Sequence, residues 1–557
     1  MKTKEEIKIS ESSEAKDDLF EGEQLNRIVS TLKKETDKIG LIEETKRISR
    51  RVKFKRDVGL VLGQVQSGKT TSFEAVTAML TDNKLPLTII LGGVSIVLTT
   101  QNRERVFKHF TNDGKERDWF IEDTLDGLPG NFRTNLKNNL TRWNSAARNK
   151  KSSVIVCMKD HSHISKLTKE LKKLEPILEE TKVLIIDDEA DQYSMNTRPN
   201  INPGDKNDPS TTYSEIQSLR KCLPKHTYLQ YTATPQAPFL ISTMDRLSPD
   251  WVDRVTPGED YIGFDELFKQ DADGVGAHVR YVETTLDNET EEMPESLKSA
   301  MGSFLVASAQ LSLEKNDNTV EEDSRTKFDV LSMLVHPSRR IFTQEAMHDF
   351  IKTTWEDWKD ATEEPDRFEN NYEEFKNIIR KQWDDYAFYS PQRLKPLEEI
   401  LEEIEVNIIG DIGIELINSG KRRTSETIDY SKNDFFIVIS GQAMDRGTTV
   451  EGLITTYLSR GASVQEDTQI QRARFCGYKR NFMDFIRIYL DRGSNERFKN
   501  YGITNADFMD LIDDCNSKDM SFKDVRREWR INAGANSCRK NVVSLKGAVV
   551  LKGKKVS

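Results

Sequence analysis

Short apolar runs punctuate the first half of the chain: Val58–Leu62, Leu87–Leu91, Ser153–Cys157, Val183–Asp187 and Thr227–Tyr231. Runs of this length without polar alternation predict strands covered on both faces, and the intervals are long enough for helices. That alternation predicts a mostly parallel sheet, ending near Asp245. A second series follows, with strands at Asp329–Val335, Phe435–Ser440, Leu453–Leu458 and Phe485–Leu490, a helix at Thr343–Trp358 and a charged helical insertion at Asp366–Ile404. Ahead of both, Leu25, Ile28, Val29 and Leu32 make the stripe of an amphipathic helix, and a second helix is expected over Leu41–Val52.

The pattern divides the chain into a helical lead-in (1–54, its first 20 residues polar and frayed), a first α/β domain (55–245), a connecting region (246–325), a second α/β domain (326–494, insertion at about 366–404) and a helical, basic tail (495–557). The connector carries Pro249, Pro257 and Pro294, acidic clusters at 289–292 and 321–323, and one expected helix, Ser296–Leu313. Short strands are expected within Lys540–Ser557. The fold class is α/β, two parallel-sheet domains in tandem.

Composition narrows the setting. With 36% hydrophobic and 31% charged residues over 557 positions, the chain reads as a surface-rich multidomain protein, not a disordered one. No apolar run approaches the ~20 residues that span a bilayer, and Met1–Glu6 lacks the apolar segment of a secretory signal, so no membrane is expected as a partner. Five scattered cysteines without a Cys-x-x-Cys pair argue against a disulfide framework or structural zinc and for a reducing cytoplasm. His161 and His163 stand without a second ligand cluster and read as surface residues. The net charge of −10 governs solubility and steering, whereas nucleic-acid binding depends on local patches.

The chemistry concentrates at strand ends. After Val58–Leu62 comes Gly63-Gln64-Val65-Gln66-Ser67-Gly68-Lys69-Thr70, the template of a phosphate-binding loop set between a strand and a helix (Thr71–Leu80). Amides of the loop and of the helix start at Thr71 would cradle the phosphates of a nucleotide, with Gln64, Gln66 and Ser67 around them. Lys69 would meet the β- and γ-phosphates, and the Thr70 hydroxyl would hold magnesium. Val183–Asp187 empties into Asp188-Glu189-Ala190-Asp191, giving four acids within five residues. Such repulsion is relieved by a divalent cation beside the phosphates, which makes Asp188 the magnesium-side carboxylate and Glu189 the residue that orients or deprotonates water. Thr232 and Thr234, in Tyr231-Thr232-Ala233-Thr234-Pro235-Gln236, would bridge the acidic cluster, Asp191 included, to the second domain. That domain offers Ser440–Gly452, with Arg446 and Gly447, and Gln469–Lys479, with Gln471, Arg472 and Arg474. Arginines here suit a finger that stabilises the transferring phosphoryl group, Arg474 first and Arg472 second.

In this order the segments resemble a superfamily-two helicase core, which implies two RecA-like domains with ATP and Mg2+ between them. Gly63–Thr70 resembles motif I, Asp188–Asp191 is a literal DEAD box, Thr232–Pro235 resembles motif III, and Arg446-Gly447 and Gln471–Arg474 resemble motifs V and VI. Gly63–Thr70, Ile185–Gln192, Tyr231–Pro235, Pro257–Phe264, Met333–His336 and Arg474–Tyr478 are similar to the Z-one domain family, over roughly residues 55–490. That family is catalogued under an endonuclease name and occurs in bacterial defence and restriction-like gene neighbourhoods. Motif VI has one residue fewer than usual between Gln471 and Arg474, and Ala473 and Phe475 replace the family's glycine and tryptophan, which leaves the finger open among Arg472, Arg474 and Lys479.

Two stretches offer a nucleic-acid track. Arg133–Lys173 is locally basic, with Arg142, Lys159 and others interleaved with Phe132 and Trp143, which suits backbone neutralisation plus stacking, or equally a solvated helical face. Gln101, Arg103 and Arg105 form a second candidate track. The leading reading is an ATP-driven helicase or translocase on DNA, RNA less favoured. The alternatives are a nucleotide-switched remodeller of a protein partner and a nuclease subunit whose cleavage centre lies in a partner, since no separate acidic cluster with a lysine at nuclease-like spacing is visible.

Overall fold

The apolar runs of the first half become strands in a computed structural model. It describes residues 19–522 apart from 94–95, 112–118, 146–149, 192–193, 196–210, 235–237, 240, 242–244, 271–275, 283–291, 318, 320–325, 339, 418–427, 442–449, 460–465 and 519. Two helices lead in, α1 (Glu23–Val29) and α2 (Glu35–Arg51). In order follow β1 (Asp57–Leu62), α3 (Lys69–Asp82), β2 (Leu87–Leu91), α4 (Ile96–Phe110), β3 (Trp119–Asp123), β4 (Ser152–Cys157), β5 (Lys182–Asp187), β6 (Lys225–Thr232) and β7 (Trp251–Arg254), with further helices between the later strands. They form one seven-stranded parallel sheet in the order β3-β4-β2-β5-β6-β1-β7. Every residue of β1, β2 and β4 is buried, because helices cover both faces of the sheet.

The second lobe is a six-stranded sheet in the order β11-β12-β10-β13-β15-β9. Its members are β9 (Val279–Tyr281), β10 (Leu331–His336), β11 (Ile412–Ile417), β12 (Phe435–Ser440), β13 (Leu453–Leu458) and β15 (Arg487–Leu490). All pair in parallel. Between the sheets lies an antiparallel ribbon of β8 (Tyr261–Ile262) and β14 (Gly477–Tyr478). The protein is therefore two RecA-like α/β lobes in tandem.

Besides the ribbon β8–β14, four strands are absent from the sequence reading, and these, β3, β7, β9 and β11, are all edges of the two large sheets. An edge strand buries less surface than a central one, so its apolar signal is weak: β3 ends in Glu122-Asp123, and β9 and β11 are only partly buried. Residues 246–325 consequently do more than connect. They give β7 to the first sheet, β9 to the second, and the helix Glu295–Lys315, buried on nearly every face in the second lobe's core. The insertion folds as helices Glu369–Tyr389 and Leu397–Glu403, which pack on that helix through Phe375, Ile379 and Ile400. The segments 1–18 and 523–557, with the strands expected in Lys540–Ser557, lie outside the described residues.

The lobes are joined by more than the chain crossing. The closing helix Arg492–Ser517 leaves β15, capped by the Asp491 carboxylate accepting from Ser494 N (3.0 Å). Its first half packs Phe498 and Tyr501 into a cluster with Val65 and Ala233 of the first lobe and Phe475 and Ile488 of the second. Its second half lays Phe508, Met509 and Ile512 on Leu60, Leu62 and Val252 of the first sheet, where Arg254 also forks onto Asp513 (2.7 and 2.5 Å). Among the described residues, no helix is long and apolar enough to cross a membrane.

Candidate nucleotide site

Strand register brings three loops together on one edge. β5, β6 and β1 are neighbours, so the loops after Asp187, Thr232 and Leu62 emerge side by side at the carboxyl end of the sheet. Backbone bonds continue the ladder into them: Gly63 N donates to Thr232 O (3.0 Å), Asp188 N to Leu91 O (3.1 Å) and Ala190 N to Tyr231 O (2.9 Å).

The phosphate loop closes tightly on itself. A Cβ at Gly63 would stand 2.5 Å from Lys69 Cγ and 2.9 Å from Ser67 Oγ, so only glycine fits. Gly68, at φ +91°, turns the chain into α3 without a side-chain cap, leaving the first-turn amides to an anion. Lys69 Nζ donates to Gln64 O (3.0 Å). Ser67 Oγ is buried with no hydrogen-bond partner, the kind of orphan that phosphate oxygens would satisfy.

The loop opens on a cleft of about 660 Å³ between the lobes. Gln66, Gly68, Lys69, Thr70, Thr71, Asp188 and Glu189 line it from the first lobe; Gln471, Arg474, Tyr478 and Lys479 line it from the second. The Thr70 hydroxyl and the Asp188 carboxylate are hard oxygen donors, and they fit a magnesium ion, which would add positive charge against the phosphates. Glu189 sits at φ +53°, and burial pushes its carboxyl up. Lys69 opposes that rise, Asp191 and Asp188 add to it, and Arg474 opposes it. A carboxyl so raised, at the edge of the phosphate-loop template, would suit a general base.

The four acids divide their tasks. Asp187 is fully buried and faces inward: it pairs with Lys159 Nζ at 2.6 Å and accepts from Tyr228 OH (2.5 Å) and Ser194 Oγ (3.0 Å). Lys159 also donates to the carbonyls of Asp188 and Glu189, so this lysine, read from sequence as part of a surface basic stretch, holds the acidic turn from beneath. Asp191 links the lobes: Thr232 Oγ1 donates to its Oδ1 (2.7 Å) and Gln471 Nε2 to its Oδ2 (2.9 Å), while Thr234 N bonds Thr232 Oγ1 (3.0 Å).

The ribbon between the sheets grips the loop itself. Tyr261 OH donates to Val65 O (2.8 Å) and Tyr478 OH to Ser67 O (3.2 Å). The Gln66 amide, with its nitrogen toward the carbonyls, reaches Cys476 O (2.6 Å) and Arg474 O (3.2 Å). Of the finger candidates, Arg474 and Lys479 line the cleft, whereas Arg472 is buried with Nη1 on Gln469 Oε1 (3.3 Å). Burial lowers the Lys479 amine to about 7, and its Nζ donates to Arg474 O (3.0 Å).

Sequence reasoning missed Tyr478 and Tyr261 as loop contacts; both lie in segments that carry the family resemblance, Pro257–Phe264 and Arg474–Tyr478, but nothing in their spacing points to the loop. It also misdirected Arg105, which lines the cleft and places Nη1 3.4 Å from Thr70 Oγ1. Arg103 pairs instead with Asp123 (3.4 Å). The side chain of Gln101 and residues Arg446 and Gly447 lie outside the described residues. Arg142 and Trp143 end a helix whose Asn139 bonds the start of β4, at the amino edge of the sheet and so across it from the cleft; Lys150 covers the Trp143 ring there.

Residues 296–533 match the family model of the Z1 domain. This part of the chain is similar to the Z1 domain. The matched span covers the second lobe from the helix Glu295–Lys315 onward, through Gln471, Arg474 and the closing helix, while the phosphate loop lies ahead of it. Among solved structures the chain is similar to S. cerevisiae Dbp5 bound to RNA and ADP BeF3 (12% identity, 88% of this chain and 92% of that one, TM-score 0.40). It is also similar to Mss116p bound to ssRNA and AMP-PNP (10%, 91% and 85%, 0.40) and to Mycobacterium smegmatis helicase Lhr bound to ssDNA and AMP-PNP (10%, 88% and 50%, 0.40). No curated protein matches the chain in sequence.

Proposed function

We propose that this protein is an ATP-hydrolysing, helicase-like motor acting on nucleic acid, DNA in preference to RNA, in restriction-like or defence processing, with any cleavage centre in a partner subunit. The observation that carries the reading is a single cleft walled by Lys69, Asp188 and Glu189 on one side and by Gln471 and Arg474 on the other. Lys69 binds the β- and γ-phosphates, Thr70 and Asp188 hold magnesium, Glu189 orients the attacking water, and Arg474 meets charge on the transferring phosphoryl group. The Gln471–Asp191–Thr232 chain then reports the nucleotide to both lobes.

ATP turnover by the purified chain, with and without single- and double-stranded DNA, tests the proposal. Stimulation that weakens as salt rises supports it. Turnover indifferent to nucleic acid favours a nucleotide-switched remodeller. One observation favours that second reading: the closing helix and the apolar cluster around Phe264 and Phe498 tie the lobes together, which restricts large strokes.

A further inference from the structure

Helix α4 carries chemistry on two faces. Arg103 and Arg105 lie two residues apart, about 200° around the helix, so they point to different surroundings. Arg103 reaches Asp123 at the end of β3 (3.4 Å), on the sheet's carboxyl edge. Arg105 turns to the cleft, as does His109 one turn later on the same face.

Arg105 meets the part of the site where charge changes with the nucleotide. Its Nη1 lies 3.4 Å from Thr70 Oγ1, the hydroxyl assigned above to magnesium. Beneath it Glu74, fully buried one turn after Thr70 on α3, accepts or shares a proton with His109 Nδ1 at 2.5 Å and lies within electrostatic reach of both Arg105 and Asp188. A divalent cation at Thr70 repels a guanidinium beside the same hydroxyl, and a terminal phosphate attracts it. Arg105 therefore has two opposed neighbours to choose between, the buried Glu74 carboxylate and the terminal phosphate, and the balance differs between triphosphate and diphosphate.

We propose that Arg105 is the first lobe's own sensor of the terminal phosphate. The inference rests on the cleft being a magnesium–nucleotide site and adds to it a discriminating residue outside the phosphate loop, the acidic turn and the arginines of the second lobe.

The test is equilibrium binding of fluorescent ATP and ADP analogues, with magnesium, to the full chain and to Arg105→Ala, Arg105→Gln and Arg105→Lys. Loss of one charge-assisted contact to the terminal phosphate predicts about tenfold weaker ATP binding in the Ala and Gln variants. ADP binding should change less than about twofold, and Lys should recover part of the ATP affinity through its charge. Thermal melting of each variant reports folding separately, and Gln, which keeps a polar side chain without the charge, serves where Ala does not fold. Equal weakening of ATP and ADP, or no change in either, overturns the sensor. A wild-type chain that binds neither nucleotide, with Lys69→Ala no different from it, overturns the site and the sensor together.

Discussion

The two walls of the cleft are built on different principles. The first-lobe wall sets its side chains on fixed backbone: the loop Gly63–Thr70 and strand ends locked by ladder bonds from Gly63, Asp188 and Ala190 hold Lys69, Asp188 and Glu189 in place. The second-lobe wall is mostly side chain: Gln471 ends a short helix, Tyr478 lies on a two-residue strand, and Arg474 and Lys479 flank that strand. Backbone donors fixed by a sheet cost little to organise and suit ground-state binding of phosphate. Long charged side chains from a separate lobe suit charge that develops during reaction. Binding and turnover should therefore be separable by mutation, with the phosphate loop on the binding side and Glu189 and the second-lobe arginine on the turnover side.

The largest effects test the first wall. Lys69→Ala should abolish hydrolysis and weaken ATP binding, whereas Glu189→Gln should retain binding and lose turnover by about 10³-fold or more, read by nucleotide titration beside steady-state rates. Equal loss of binding in both would remove the distinction. On the second wall, Arg474→Ala should cut turnover by about 10³-fold with ATP affinity nearly unchanged, and Arg472→Ala should fall short of that. A larger loss at Arg472 would reassign the finger.

What holds the walls together can be broken next. Ile512 is fully buried between the closing helix and the first sheet, and Ile512→Ala should destabilise the chain by about 2–5 kcal/mol in denaturant unfolding. An unchanged midpoint would mean that the helix does not hold the lobes in solution.

The lead-in helix α2 adds a pH-dependent strut. Glu44 accepts from Ser72 Oγ (2.5 Å) and Thr256 N (2.6 Å), and burial pushes its carboxyl from 4.5 up to about 7. The folded protein then binds a proton that the unfolded chain has released, so this contribution is complete below about pH 4.5 and is lost as pH rises through about 7. Glu44→Gln should flatten the stability profile across that window by on the order of 3 kcal/mol. A profile that keeps its slope would place the titration elsewhere. The smallest effect belongs to the coupling chain: Gln471→Ala should reduce nucleic-acid stimulation about tenfold, with basal nucleotide binding intact.

How much of this was legible in sequence follows from where each signal lives. The central strands were visible because a strand buried on both faces must be apolar throughout. The loop and the acidic turn were visible because their chemistry is contiguous: Gly63, Gly68, Lys69 and Thr70 act within one turn, and Asp188, Glu189 and Asp191 within another. Lys159 and Arg105 were misread because a lysine or arginine looks the same in sequence whether it faces water or a buried carboxylate. The edge strands were missed because they are short, part-buried or carry charged residues, as Glu122-Asp123 in β3 and Asp253-Arg254 in β7 do.

By itself, then, the sequence determined the two parallel sheets, the phosphate loop and the acids that face it, since local pattern and local chemistry suffice for those. Only the tertiary structure decided that Arg474 lines the cleft while Arg472 turns inward, that Tyr261 and Tyr478 clasp the loop, and that Arg105 faces Thr70. Each of those depends on the direction of a side chain across elements far apart in the chain, which packing sets and residue spacing does not.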